Sequence, residues 1–80
     1  MPLPLYGFLE GDTIGLLVVV DENETVEALT RKLQDAASIR VAPSGNPHLL
    51  YRGNKLDPAM TLAEVGMKSL ERFDVVWSLS

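Results

Sequence analysis

Apolar residues along the 80-residue chain change their period several times, and the changes mark out elements. From Leu3 to Leu9 almost every position is apolar, until Glu10-Gly11-Asp12 supplies residues suited to a tight turn. Thr13 to Val20 is dense in branched side chains and closes at Asp21, so the first two segments predict an amino-terminal β-hairpin. After the polar break Asp21 to Glu24, the period lengthens: Val26, Leu29, Leu33 and Ala36 recur at helical spacing and form one apolar stripe. Thr25 stands where an N-cap hydroxyl accepts from a free N–H of the first turn. Glu24 and Glu27 complement the helix dipole, and Glu27 lies one turn from Arg31. The helix is expected to end near Ala37-Ser38.

Val41-Ala42-Pro43-Ser44-Gly45-Asn46-Pro47 breaks the helical pattern and predicts a loop. His48 to Arg52 reads as a short strand, and Gly53-Asn54 turns the chain into another at Lys55-Leu56. Asp57-Pro58 begins a turn, and Thr61 to Gly66 fits one helical turn with Gly66 as its stop. Phe73, Val75 and Trp77 alternate with Asp74, Val76 and Ser78 in a last strand from Phe73 to Leu79. The prediction is an α+β fold in which a mixed sheet of four to five strands packs on one helix.

The length corresponds to one small domain, residues 1–80. A core of this size supplies roughly 3–5 kcal/mol. With no cysteine, neither disulfides nor thiolate metal sites can supplement it. Hydrophobic residues at 46% and charged residues at 22% nevertheless describe a folded globule. The net charge of −4, with its seven basic residues scattered, argues against nucleic acid as a partner. No run approaches the ~18 apolar residues of a membrane span, and Met-Pro-Leu-Pro-Leu-Tyr has no basic start of a secretory signal, so no membrane partner and a cytoplasmic location are expected.

Catalytic chemistry finds no foothold. His48 is the only histidine, and no thiol or second imidazole exists to complete a metal site with it. The hydroxyls have no neighbouring histidine base, and the glycines make no phosphate-binding motif. Asp21, Glu22 and Glu24 crowd a turn before a helix, where solvation and the dipole account for them. Catalytic, cofactor and metal residues are therefore expected to be absent, and the chain is not expected to be an enzyme itself.

The order strand, strand, helix, strand, short strand, strand is that of the β-grasp. Leu49-Leu50-Tyr51-Arg52-Gly53-Asn54-Lys55-Leu56, followed by Thr61-Leu62 and the last strand, resembles ubiquitin. Thr25-Val26-Glu27 through Gln34-Asp35, with Ile39, is similar to ubiquitin's helix and the isoleucine after it. The Gly-Gly pair with which ubiquitin and its sulfur-carrier relatives end occurs nowhere here, so ubiquitin-type conjugation and sulfur transfer are not expected. Val18-Val19-Val20-Asp21, Arg40-Val41-Ala42-Pro43, Met60-Thr61-Leu62-Ala63-Glu64-Val65-Gly66-Met67 and Asp74-Val75-Val76-Trp77 occur in that order. Together they resemble the small ubiquitin-like subunit (system B type) of bacterial toluene 4-monooxygenase hydroxylases. That resemblance implies a non-catalytic accessory subunit of a diiron aromatic or alkene monooxygenase, with the large diiron hydroxylase subunit as partner. The alternative is a free-standing ubiquitin-like interaction domain with an unrelated partner.

In the register of ubiquitin, Leu16, Val18 and Val20 face the helix and Leu17 and Val19 face the opposite, open side. By the same register Leu5, Leu9, Leu50 and Val76 are expected to join them. Leu5, Leu9, Leu17, Val19, Leu50 and Val76 form the expected protein-interaction patch, since six aliphatic side chains on one face exceed ordinary surface scatter. Trp77 is expected to seal the end of the core with its indole N–H bonded, and Met60 and Met67 to fill the core.

Overall fold

Two prolines at the start of the first strand determine where that strand sits. The computed structural model describes residues 2–42 and 45–78. Strand β1 (Pro2–Leu9) pairs antiparallel with β2 (Leu16–Asp21), with Leu5 opposite Val18 and Leu3 opposite Val20. The Pro4 carbonyl accepts from Leu70 N at 2.6 Å, and Tyr6 N donates to Glu71 O at 3.0 Å. The even-numbered residues of β1 therefore turn their amide groups away from β2. Pro2 and Pro4, which have no N–H, occupy such positions and take no donor from the hairpin ladder. The hairpin's turn is longer than expected: Thr13 to Gly15 precede the second strand.

Helix α1 (Val26–Ala37) is capped by Thr25, whose Oγ1 accepts from Ala28 N at 3.1 Å. Val26, Leu29, Leu33 and Ala37 form its buried stripe, together with Thr30, whose hydroxyl donates to Val26 O at 2.9 Å. Ala36, expected on that stripe, is exposed. From Leu33 the stripe advances by four residues, which brings Ala37 inward and turns Ala36 to water. Glu27 accepts from Arg31 Nη2 at 3.0 Å on the solvent side.

Strand β3 begins two residues earlier than predicted, spanning Asn46–Tyr51 and including Pro47. Leu49 O accepts from Leu56 N at 3.0 Å, so the odd-numbered residues of β3 point to its outer edge. There β4 (Asn54–Lys55) pairs only with Leu50 and Tyr51, and Pro47 faces no strand that needs its missing N–H. Helix α2 (Leu62–Val65) is closed by a capping box between Thr61 and Glu64 and stops at Gly66, whose φ of 87° is left-handed. Strand β5 (Arg72–Ser78) runs parallel to β1 and antiparallel to β3, which gives the mixed order β2-β1-β5-β3-β4. Pro43 and Ser44 of the expected loop and Leu79 of the expected last strand lie outside the described residues.

The core lies between α1 and one face of this sheet. Leu3, Leu5, Leu9, Val18, Val20, Leu49, Phe73 and Val75 meet Val26, Leu29, Leu33 and Ala37, with Leu62 and Met67 closing one end. Gly7 is the narrow point: a Cβ there would stand 2.6 Å from Phe73 Cζ and 2.9 Å from a Leu33 methyl. Trp77 packs against the cluster at its other end, and its Nε1 donates to Glu10 O at 3.0 Å. Met67 is buried and Met60 packs partly against the core.

This packing corrects the expected patch at two positions. Leu5 is 0% and Leu9 3% exposed, both in the core rather than on the open face. Directly paired residues of neighbouring strands share a face, so Leu5 must follow its partner Val18 inward. Leu3, Leu5 and Leu9 have the same parity, and Gly7 between them makes room for Phe73 and Leu33.

Candidate interaction face

The open side of the sheet is built by the complementary parity. Pro4, Tyr6 and Phe8 come from β1, Leu17 and Val19 from β2, and Arg72, Asp74 and Val76 from β5. Asp21 of β2, Asn46, His48 and Leu50 of β3, Lys55 of β4 and Ser78 of β5 share its parity. Leu17 and Val19 are 57% and 53% exposed, and Leu50 and Val76 are half-buried. Four of the six expected patch residues therefore share this face, while Leu5 and Leu9 do not. Pro4, Tyr6, Phe8 and Arg72 stand in the same surface without having been anticipated. The signal for the first three was parity, since any strand that buries Leu3, Leu5 and Leu9 presents the residues between them.

Polar groups divide the face along its middle. The Arg72 guanidinium lies over the Phe8 ring, 4.1 Å from its centroid. Its Nε and Nη2 donate to Asp74 Oδ1 at 3.3 and 3.1 Å. Gly15 gives the Phe8 ring its place, because a Cβ there would fall 2.5 Å from Cε2. Leu17 and Val19, beside Tyr6 and Pro4, lie on one side of this stack, and Leu50 and Val76 lie on the other.

The family model of toluene-4-monooxygenase system protein B (TmoB) matches residues 2–77. The chain belongs to that family.

Among solved structures, this TmoB-family chain is similar to a chain in a toluene 4-monooxygenase HD complex with the inhibitor 4-bromobenzoate. The TM-score is 0.89 at 29% identity, over 98% of this chain and 100% of that one. It also superposes on a ubiquitin of Caldiarchaeum subterraneum with a TM-score of 0.82 at 21% identity, over 100% and 98% of the two chains. The ubiquitin-like domain of Plasmodium falciparum Dsk2 gives 0.79 at 18% identity, over 98% and 100%. These two likenesses establish the ubiquitin-like β-grasp fold. No curated protein matches the sequence.

Two clusters of charged side chains brace this TmoB-family fold. The Glu71 carboxylate accepts from the Tyr51 hydroxyl, from Lys68 N at 2.9 Å and from Arg52 Nη2 at 2.9 Å. The Tyr51 hydrogen bond and then the Lys68 amide hold its pKa down at about 2. The same bond raises the Tyr51 pKa, because a phenolate would face the carboxylate. At the other end Asp12 accepts from Arg40 Nε and Nη2, at 3.1 and 2.9 Å, and ties the hairpin turn to the segment after α1. That bond keeps the Asp12 carboxyl below the usual range. Ile39, one residue before Arg40, is 93% exposed.

Among the described residues no three His, Cys, Asp or Glu side chains converge as metal ligands, and no helix is long and apolar enough to cross a membrane. His48 lies half-buried on β3 opposite Val76.

Proposed function

We propose that this chain is a single ubiquitin-like domain serving, in the cytoplasm, as a non-catalytic accessory subunit of a multicomponent diiron monooxygenase for aromatic or alkene substrates. It binds and stabilises the large catalytic subunit, docking through the open sheet face that carries Tyr6, Leu17, Val19, Leu50 and Val76. The observation that carries this reading is the superposition, end to end on both chains, on a component of a toluene 4-monooxygenase HD complex. The family match over residues 2–77 supports it. The face adds a physical reason, since bulky apolar groups on four neighbouring strands lack the helical cover that their counterparts on the other side receive.

The test uses Val19→Asp and Leu50→Asp, co-expressed with the large hydroxylase subunit. Each variant should melt near the wild-type temperature by circular dichroism, because the side chain already meets water. Each should lose retention of the large subunit, because an unpaired charge would be buried at the interface, at a cost of several kcal/mol. Normal folding with undiminished retention would move the docking site elsewhere. Failure of the wild-type chain to retain the large subunit would remove the accessory-subunit reading.

A further inference from the structure

Arg72 occupies the centre of the open face, on the strand in the middle of the five-stranded order. Two shallow depressions open on this side, of about 310 and 320 Å³. The first is the more apolar, with Phe8, Leu50 and Val76 in its wall beside Glu10, and the second is mixed, with Tyr51, Arg52 and Glu71. The only residues that line both are Arg72 and Asp74.

The Arg72 side chain is already organised. Phe8 supports the guanidinium plane, Gly15 makes space for the ring, and Asp74 holds the Nε–Nη2 edge. The outer edge, Nη1 with the second hydrogen of Nη2, makes no hydrogen bond among the described residues. That edge is the two-donor fork that matches a carboxylate. Arg72 and Lys55 share this face with Asp74 and Asp21, and Glu10 lines the first depression, so the free fork of Arg72, rather than a local excess of positive charge, selects an acidic ligand.

We infer that Arg72, held over the Phe8 ring by its bonds to Asp74, anchors the docking face by taking a carboxylate of the partner through its outer fork. The partner's matching ground is an apolar surface with an Asp or Glu at its centre. An arginine whose rotamer is set before binding loses little further freedom on docking. Central arginines shielded by apolar neighbours carry a large share of interface energy. The inference rests on the docking reading above, and its failure is separable from the failure of that reading.

The experiment measures affinity for the purified large hydroxylase subunit at low and high salt. The chains compared are the wild type, Arg72→Lys, Arg72→Gln, Phe8→Leu and Val19→Asp, with melting followed for each. Arg72→Gln should bind about tenfold or more weakly, melt as the wild type does, and lose much of the salt dependence. Arg72→Lys keeps the charge but not the fork, so it should retain the salt dependence and still bind more weakly. Phe8→Leu releases the guanidinium and should fall between wild type and Arg72→Gln. Wild-type affinity and salt dependence in both Arg72 variants, with binding lost in Val19→Asp, would overturn the anchor and leave the docking face standing. Undiminished binding in all variants would overturn both.

Discussion

On the helix side of the sheet, Leu3, Leu5, Leu9, Val18, Val20, Leu49 and Val75 are closed over by the α1 stripe. On the other side Leu17, Val19, Leu50 and Val76 alternate with them along the same strands and remain at least partly in water. The residue types are nearly identical, so hydrophobicity does not distinguish the faces. What differs is cover. Val26, Leu29, Leu33 and Ala37 interlock with one face, while the other receives only a guanidinium laid over a ring. The same leucine is therefore a structural necessity on one parity and available for contact on the next.

A matched pair of truncations breaks or confirms this contrast. Leu33→Ala and Leu5→Ala each remove a side chain that is 0% exposed and should cost about 2–5 kcal/mol in denaturant unfolding. Leu17→Ala, on the strand beside Leu5, should stay within about 0.5 kcal/mol of wild type. Equal losses at Leu5 and Leu17 would mean that the faces are not distinct. Gly7→Ala probes the core face from the opposite direction, by overfilling. Its methyl meets Phe73 and Leu33 at under 3 Å, and the expected loss is about 1–3 kcal/mol. An unchanged unfolding midpoint would show slack where the packing is tightest.

The smallest expected effect sharpens the comparison at its margin, where Glu71 joins the β3–β4 turn to the start of β5. With its pKa at about 2 in the fold and near 4.5 in the unfolded chain, the ionised Glu71 favours the folded state. That contribution is fully present above pH 4.5 and disappears as pH falls toward 2. The raised Tyr51 pKa acts at the other end, with a contribution present below pH 10 and lost above it. Glu71→Gln should therefore flatten the acid limb of the stability profile without abolishing it, since Asp12, Asp21 and Glu64 are also lowered. An acid limb identical to wild type would show that the Tyr51–Glu71 bond contributes nothing.

Most of the elements were legible in the sequence because each announces itself locally. The helix has its Thr25 cap and its stripe, and α2 has Gly66 in a left-handed stop. The phase of β1 was harder, because both parities are apolar: Leu3, Leu5 and Leu9 on one, Tyr6 and Phe8 on the other. Only the pairing of Leu5 with Val18 and the fit of Gly7 beneath Phe73 resolve it. Ala36 against Ala37 is a similar ambiguity of one step on the helix. The centre of the open face was not legible at all. Arg72 reaches Phe8 only because β1 and β5 lie side by side in parallel, with Tyr6 opposite Arg72. No local pattern encodes that register.

The same parallel pairing governs how the molecule must assemble. The β1–β2 hairpin and α1 involve near neighbours in sequence, and their contacts form on the timescale of short-loop closure. Sheet closure instead requires residues 6–9 to find residues 72–75, and the bond from Trp77 N to Glu10 spans 67 positions. Contacts at such separation must overcome loop-closure entropy before they return any stabilisation. During synthesis the first strand is made well before its central partner. Until Phe73 and Val75 leave the ribosome, the Leu5 and Leu9 side of the hairpin lacks that strand. The nascent chain passes through a period in which both sides of its first hairpin are sticky, and only one of them is later buried by the fold.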